Sequence, residues 1–119
     1  MKKYFGLLLL FLTISTQAQS FAKQFDVKEY AVKQTDKIQS ALDLPVEMKE
    51  NILKANTFKA HSVQKFLILF EQEGRLEGMN LKEAIKTVEG NAEKASGYLE
   101  NMKNILGDEL YNKFLEKLR

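Results

Sequence analysis

The chain has 119 residues, no cysteine, one histidine, one proline and a formal net charge of +2. That charge rests on Lys2 and Lys3: without them, 16 of the 18 basic side chains face 16 acidic ones. No Lys/Arg cluster is interleaved with aromatics, so the footprint of a nucleic-acid binder is missing, and with no cysteine, stability must come from packing, from a second copy, or from both.

The opening stretch MKKYFGLLLLFLTISTQAQS has a basic start, an apolar run from Tyr4 to Leu12, then small and polar residues. This pattern is that of a signal peptide over 1–18, with cleavage near Ala18 in Thr16-Gln17-Ala18. The apolar run falls short of the about 20 residues of a membrane helix. No membrane span is therefore expected after cleavage, and the mature chain is read as periplasmic or secreted. About 100 residues remain, the size of one small domain. Residues 19–25 are expected to be a flexible lead-in and 26–118 a single helical domain.

Everything after the signal has helical period, and no alternating β-branched run or Asn-Gly hairpin signal interrupts it. The expected fold is all-α: four helices, two long and two shorter, as a bent or antiparallel hairpin or bundle, with a dimeric cradle as one form.

The first predicted helix starts at Asp26, a good N-cap, and runs to Leu42. Val27, Tyr30, Ala31, Ile38, Ala41 and Leu42 mark its apolar face, with Gln34 as a polar intruder. Phe21 and Phe25 precede it and either staple its entrance or fray. Pro45, whose fixed φ and missing N–H do no harm at a helix start, opens the second. Its stripe runs Ile52, Ala60, Val63, Phe66, Leu67 and Phe70, interrupted by Asn56, until Gly74 stops it. At about 28 residues this helix spans about 42 Å.

The third predicted helix begins with Asn80 and Glu83, an Asn version of a capping box. Leu81, Ile85, Val88, Ala92, Ala95, Leu99, Met102 and Leu106 then alternate steps of 4 and 3, a heptad seam. Gly90 and Gly97 lie off that seam, either permitting curvature or simply tolerated, the latter being favoured. Gly107 breaks the rhythm, and a short fourth helix carries Leu110, Tyr111, Phe114, Leu115 and Leu118.

Two corners are alike. LPVEMKENIL (44–53) and LGDELYNKFL (106–115) pair Leu44 with Leu106, Glu47 with Glu109, Met48 with Leu110, Ile52 with Phe114 and Leu53 with Leu115. Each Glu lies in a first turn, where the helix dipole favours it. Such paired corners in an exported, cysteine-free helical chain resemble the Spy/CpxP-like periplasmic proteins, whose L-T-x-x-Q motif occurs at two helix starts. Both copies here are degenerate: Leu44 and Leu106 stand for the motif Leu, but Pro45 and Gly107 replace its Thr, and Met48 and Leu110 its Gln. The resemblance implies a bent helical dimer that binds unfolded or envelope proteins without ATP, or damps an envelope-stress sensor.

Catalysis finds little support. The single His61 lies off the apolar stripe with no placed partner, which acid–base work requires. The acidic residues are dispersed among lysines rather than clustered as metal ligands. The chain is therefore read as not an enzyme, with no catalytic residue, no metal site and no cofactor.

The strongest clue is KFLILF (65–70), whose apolar run exceeds one helical stripe. Either the second helix is enclosed all round, or Ile68 and Leu69 meet a second copy or a client. Phe66, Ile68, Leu69 and Phe70 are the expected contacts, with Met48 and Met102 as adaptable side chains. The expected function is thus an exported, ATP-independent chaperone-like or envelope-stress accessory protein that binds apolar surfaces, as a homodimer. The alternative is a dedicated adaptor that pairs with one envelope partner through the third-helix seam.

Overall fold

A computed structural model describes residues 20–119, so the signal peptide expected over 1–18 lies outside it. The described chain is all-α, with helices α1 (Phe21–Gln24), α2 (Val27–Leu42), α3 (Val46–Gln72), α4 (Leu81–Ser96) and α5 (Tyr98–Leu118). No helix among the described residues is long and apolar enough to cross a membrane.

Local chemistry sets most of the ends. The Asp26 carboxylate accepts from the Glu29 N–H at 3.0 Å and opens α2. Asp43, with φ of 50°, closes it, and Pro45 stands at the N-cap of α3. The capping box of α4 is complete, with Asn80 and Glu83 satisfying each other's backbone N–H groups. Ahead of α2, where a loose lead-in was expected, Ser20 caps the four-residue α1. The Phe21 N–H reaches the Glu71 carboxylate at 3.2 Å, and Ala22 and Phe25 are buried.

One expected helix is two. The seam drawn from Leu81 to Leu106 is cut at Gly97, which takes a left-handed φ of 62° and caps the Glu93 and Lys94 carbonyls. Gly97 is therefore a helix stop, not a tolerated defect, since a residue with a Cβ in that conformation costs about 1–2 kcal/mol. Skipping one residue shifts the phase: Ala84, Val88 and Ala92 are buried before the break, and Tyr98, Met102 and Leu106 after it. Ala95 is left exposed and Leu99 only partly covered. Gly107, at φ 79° and ψ 168°, is non-helical and divides α5 into two helical stretches, the second starting where the fourth helix was expected.

Helix α3 is the spine, against which every other helix packs. Short connections return the chain, so α2 and α4 run antiparallel to α3, and each lies against α3 rather than against the other. The buried face of α3 is Ile52, Ala55, Asn56, Lys59, Ala60, Val63, Leu67 and Phe70. Its steps of three and four keep one side turned inward.

Two apolar clusters result. The first joins Ala22, Phe25, Ala31, Val63, Leu67, Phe70, Leu76 and Val88. Leu76, from the polar connection EQEGRLEG, is 2 % exposed and plugs this end. The second holds Ile38, Leu42, Ile52, Tyr98 and Met102 together with both corners. Leu44 and Leu106, and likewise Ile52 and Phe114, are buried there, while Met48 and Leu110 pack on its edge. The fourth apolar pair splits, because Leu53 packs against the first cluster and Leu115 against the second.

Candidate functional site

A belt of polar side chains separates the two clusters. Tyr98 Oη donates to Asn56 Oδ1 at 2.8 Å, Asn56 Nδ2 donates to Thr35 Oγ1 at 2.9 Å, and Thr35 Oγ1 donates to the Ala31 carbonyl at 2.7 Å. Thr35 and Asn56 are fully buried. Chaining the groups in this way satisfies a core that would otherwise lose about 1–3 kcal/mol for each orphaned partner.

Next along α3, Lys59 is only 4 % exposed. Its ammonium lies 2.9 Å from Glu93, 3.9 Å from Glu89 and 4.5 Å from the Tyr98 ring centroid. Glu93 also accepts a bidentate fork from Arg119, at 2.6 Å to each oxygen. Glu89 accepts from the Tyr30 hydroxyl, which ties α2 to α4 across the face of α3. A buried cation thus holds four helices to one charge network, with α2 and α5 also contributing ring faces.

The titration of these groups follows from their partners. Burial acts to raise the Glu93 carboxyl, but hydrogen bonds and charge from Arg119 and Lys59 outweigh it and hold the group below its ordinary value. Tyr30 is pushed far above the usual tyrosine range by burial, then by its bond to Glu89. Burial likewise raises Tyr98, with the Glu93 charge adding to it.

A depressed carboxyl contributes stability above its unfolded value, about 4.3 for glutamate, and that contribution is lost as pH falls through the folded value. We expect the melting temperature to fall as pH drops below about 4.3, and Glu93→Gln to flatten that limb in a pH series of thermal melts. An unchanged limb in the variant means that other carboxylates drive the loss. The raised tyrosines act at the other end, where their stabilisation is complete below about pH 10 and lost above it.

Above this network lies an open cleft of about 530 Å³ between α2, α4 and the end of α5. Gln34, Lys37 and Ile38 line it from α2, Lys86 and Gly90 from α4, and Phe114 and Leu118 from α5, with Lys59 and Glu93 at the base.

The outer face of α3 is the second candidate surface. Ile68 is 44 % exposed and Leu69 43 %, so α3 is not enclosed at this level. Phe58, overlooked in the sequence, is 64 % exposed. It lies eleven residues before Leu69, close to three helical turns, and so on the same stripe. Beside it a groove of about 260 Å³ is lined by Asn51, Lys54, Asn101, Asn104 and Ile105. Lys54, His61 and Lys65 are exposed on this face, and no carboxylate occurs between Glu50 and Glu71. Residues 20–119, in which 16 basic and 16 acidic side chains balance, therefore present a locally cationic, apolar surface.

The other expected contact residues lie elsewhere. Phe66 is half-buried, edge-on to Phe70 with ring centroids 6.1 Å apart. Phe70 is 4 % exposed and is capped by the Arg75 guanidinium, 3.6 Å from the ring centroid. Met48 is half-buried at the second cluster, and Met102 is fully buried within it. Of the six, only Ile68 and Leu69 form an exposed pair. The missed Lys59 had a signal: it falls seven residues after Ile52 and four before Val63, on the apolar stripe itself. His61 is exposed on α3, as its off-stripe position implies.

Comparison of the chain with family models, with curated proteins and with solved structures finds no match.

Proposed function

We propose that the chain is an exported, ATP-independent chaperone-like or envelope-stress accessory protein that holds apolar segments of other proteins on the outer face of α3. The reading rests on one observation above all: Phe58, Ile68 and Leu69 of α3 stay exposed to water. Fully burying such side chains is worth about 1.5–3 kcal/mol each, so an exposed set on one helix favours a role in contact. The flanking Lys54 and Lys65 add weak attraction for acidic clients, and the shallow groove beside Phe58 can take a single side chain. Shallow contacts rimmed by charge permit release without an energy source.

The likeness of the two corners to Spy/CpxP-like proteins points in the same direction. A second copy of the chain offers another apolar surface, so a homodimer belongs to this proposal. The rival adaptor reading relied on the seam of the third predicted helix. Val88, Ala92, Met102 and Leu106 of that seam are buried within the chain itself, so the outer face of α3 is the better-supported surface.

The test is protection of two unrelated denatured proteins from aggregation, with the solution mass of the chain measured in parallel. The triple variant Phe58→Ser, Ile68→Ser, Leu69→Ser should lose protection severalfold while keeping its helical signal. Exposed substitutions away from special features change stability by only about 0.5 kcal/mol each. Undiminished protection by the triple variant rules out this face. A wild-type chain that protects neither client, yet captures a single partner, makes the protein a dedicated adaptor.

A further inference from the structure

The cleft between α2 and α4 is a separate feature from the outer face of α3, and its chemistry is more specific. Glu89 and Glu93 are already committed to Tyr30, Lys59 and Arg119. Lys37 and Lys86, one from each wall, have no carboxylate partner among the described residues. With the inner charges matched two against two, the cleft carries an excess of two positive charges at its walls. Ile38, Phe114 and Leu118 supply an apolar side to the same space.

Gly90 adds a second, independent pointer. It sits within α4, where glycine costs about 1 kcal/mol relative to alanine, and it needs no special backbone angle. A Cβ built there meets nothing within 4 Å. The neighbouring helix therefore does not require glycine for packing. Its lack of a side chain leaves the cleft wall clear instead.

We propose that this cleft is a binding site for a small organic anion, a carboxylate with a compact apolar body. The carboxylate lies between Lys37 and Lys86, and the body rests against Ile38, Phe114 and Leu118 in the space that Gly90 leaves open. The volume of about 530 Å³ falls in the usual range for small-molecule sites, about 300–1,000 Å³. The Lys59–Glu93–Arg119 network beneath keeps the base fixed, so little ordering is required on binding. A metal ion is a poor fit, because both nearby carboxylates already hold cations or a hydroxyl.

The probe is 2-naphthoate, titrated calorimetrically into the mature chain, with 2-naphthol and inorganic phosphate as comparisons. We expect one saturable site per chain for 2-naphthoate, and binding at least about tenfold weaker for either comparison molecule. Lys86→Gln, at an exposed position, should weaken binding by about tenfold and reduce its salt dependence. Gly90→Met, which projects a side chain into the cleft, should do the same. Gly90→Ala should melt higher than wild type and still bind, which separates loss of space from loss of fold. The proposal is overturned by an absence of saturable binding, or by binding that both Lys86→Gln and Gly90→Met leave intact. Equal affinity for naphthol or for phosphate overturns it too, since the anion or the apolar body is then irrelevant.

Discussion

Lys59→Ala should be the most damaging single change in the chain, destabilising it by about 3–5 kcal/mol, the cost of breaking a buried ion pair from one side. The ammonium is buried against Glu93, Glu89 and the Tyr98 ring. Its removal leaves Glu93, whose side chain is only 11 % exposed, with Arg119 as its sole cation among the described residues. Glu89 is then left with a hydroxyl from Tyr30 and, among the described residues, no cation. For a domain of about 100 residues, such a loss is a large part of a total stability of about 5–15 kcal/mol. Urea unfolding followed by helical circular dichroism measures it directly. The double variant Lys59→Met, Glu93→Leu should be less destabilised than the sum of its single changes, because each leaves the other's charge stranded. Additive losses would mean that the pair is not coupled, and that Lys59 matters only through its aliphatic stem.

Met102→Ala comes next, with an expected cost of about 2–5 kcal/mol for truncating a fully buried side chain. Met102 has no exposed surface and sits in the second cluster among Ile52, Tyr98, Leu106 and Phe114. The change lowers the urea midpoint. It should leave protection of clients intact under conditions where the variant remains folded, because the outer face of α3 is untouched. A Met102→Ala chain of normal stability but reduced protection would return this residue to the contact surface and contradict the packing.

The two changes differ in how visible their cause is in the sequence. Met102 is apolar at a heptad position, so its burial follows the pattern, and only its assignment to a contact surface was misplaced. Lys59 is charged and reads as a surface residue unless its phase on the stripe outweighs its chemistry. Asn56 is the same case: it seemed to interrupt the apolar face of α3, yet it is the residue that links Thr35 to Tyr98. Phe58 is the converse, an aromatic expected to seek cover that its helical phase turns outward. In each, position around the helix decides burial, and chemistry then has to be satisfied wherever the side chain arrives.

The sequence by itself determined the all-α class and most helix ends, though not the stop at Gly97 or the short α1. Asp26, Pro45 and the Asn80–Glu83 box mark starts, Gly74 and Gly107 mark breaks, and the paired corners announce where the chain turns. These are local effects of capping, fixed φ and left-handed backbone, and they act within a few residues. Tertiary structure decided the rest: the phase shift at Gly97, the convergence of both corners in one cluster, the burial of Lys59, and the side of α3 left to solvent. Those outcomes depend on residues 21 to 76 positions apart meeting across helices. A one-residue break in α4–α5 moves every later side chain by about 100°, and only the packed neighbours determine which arrangement buries the most apolar surface and gives the buried Lys59 its carboxylates.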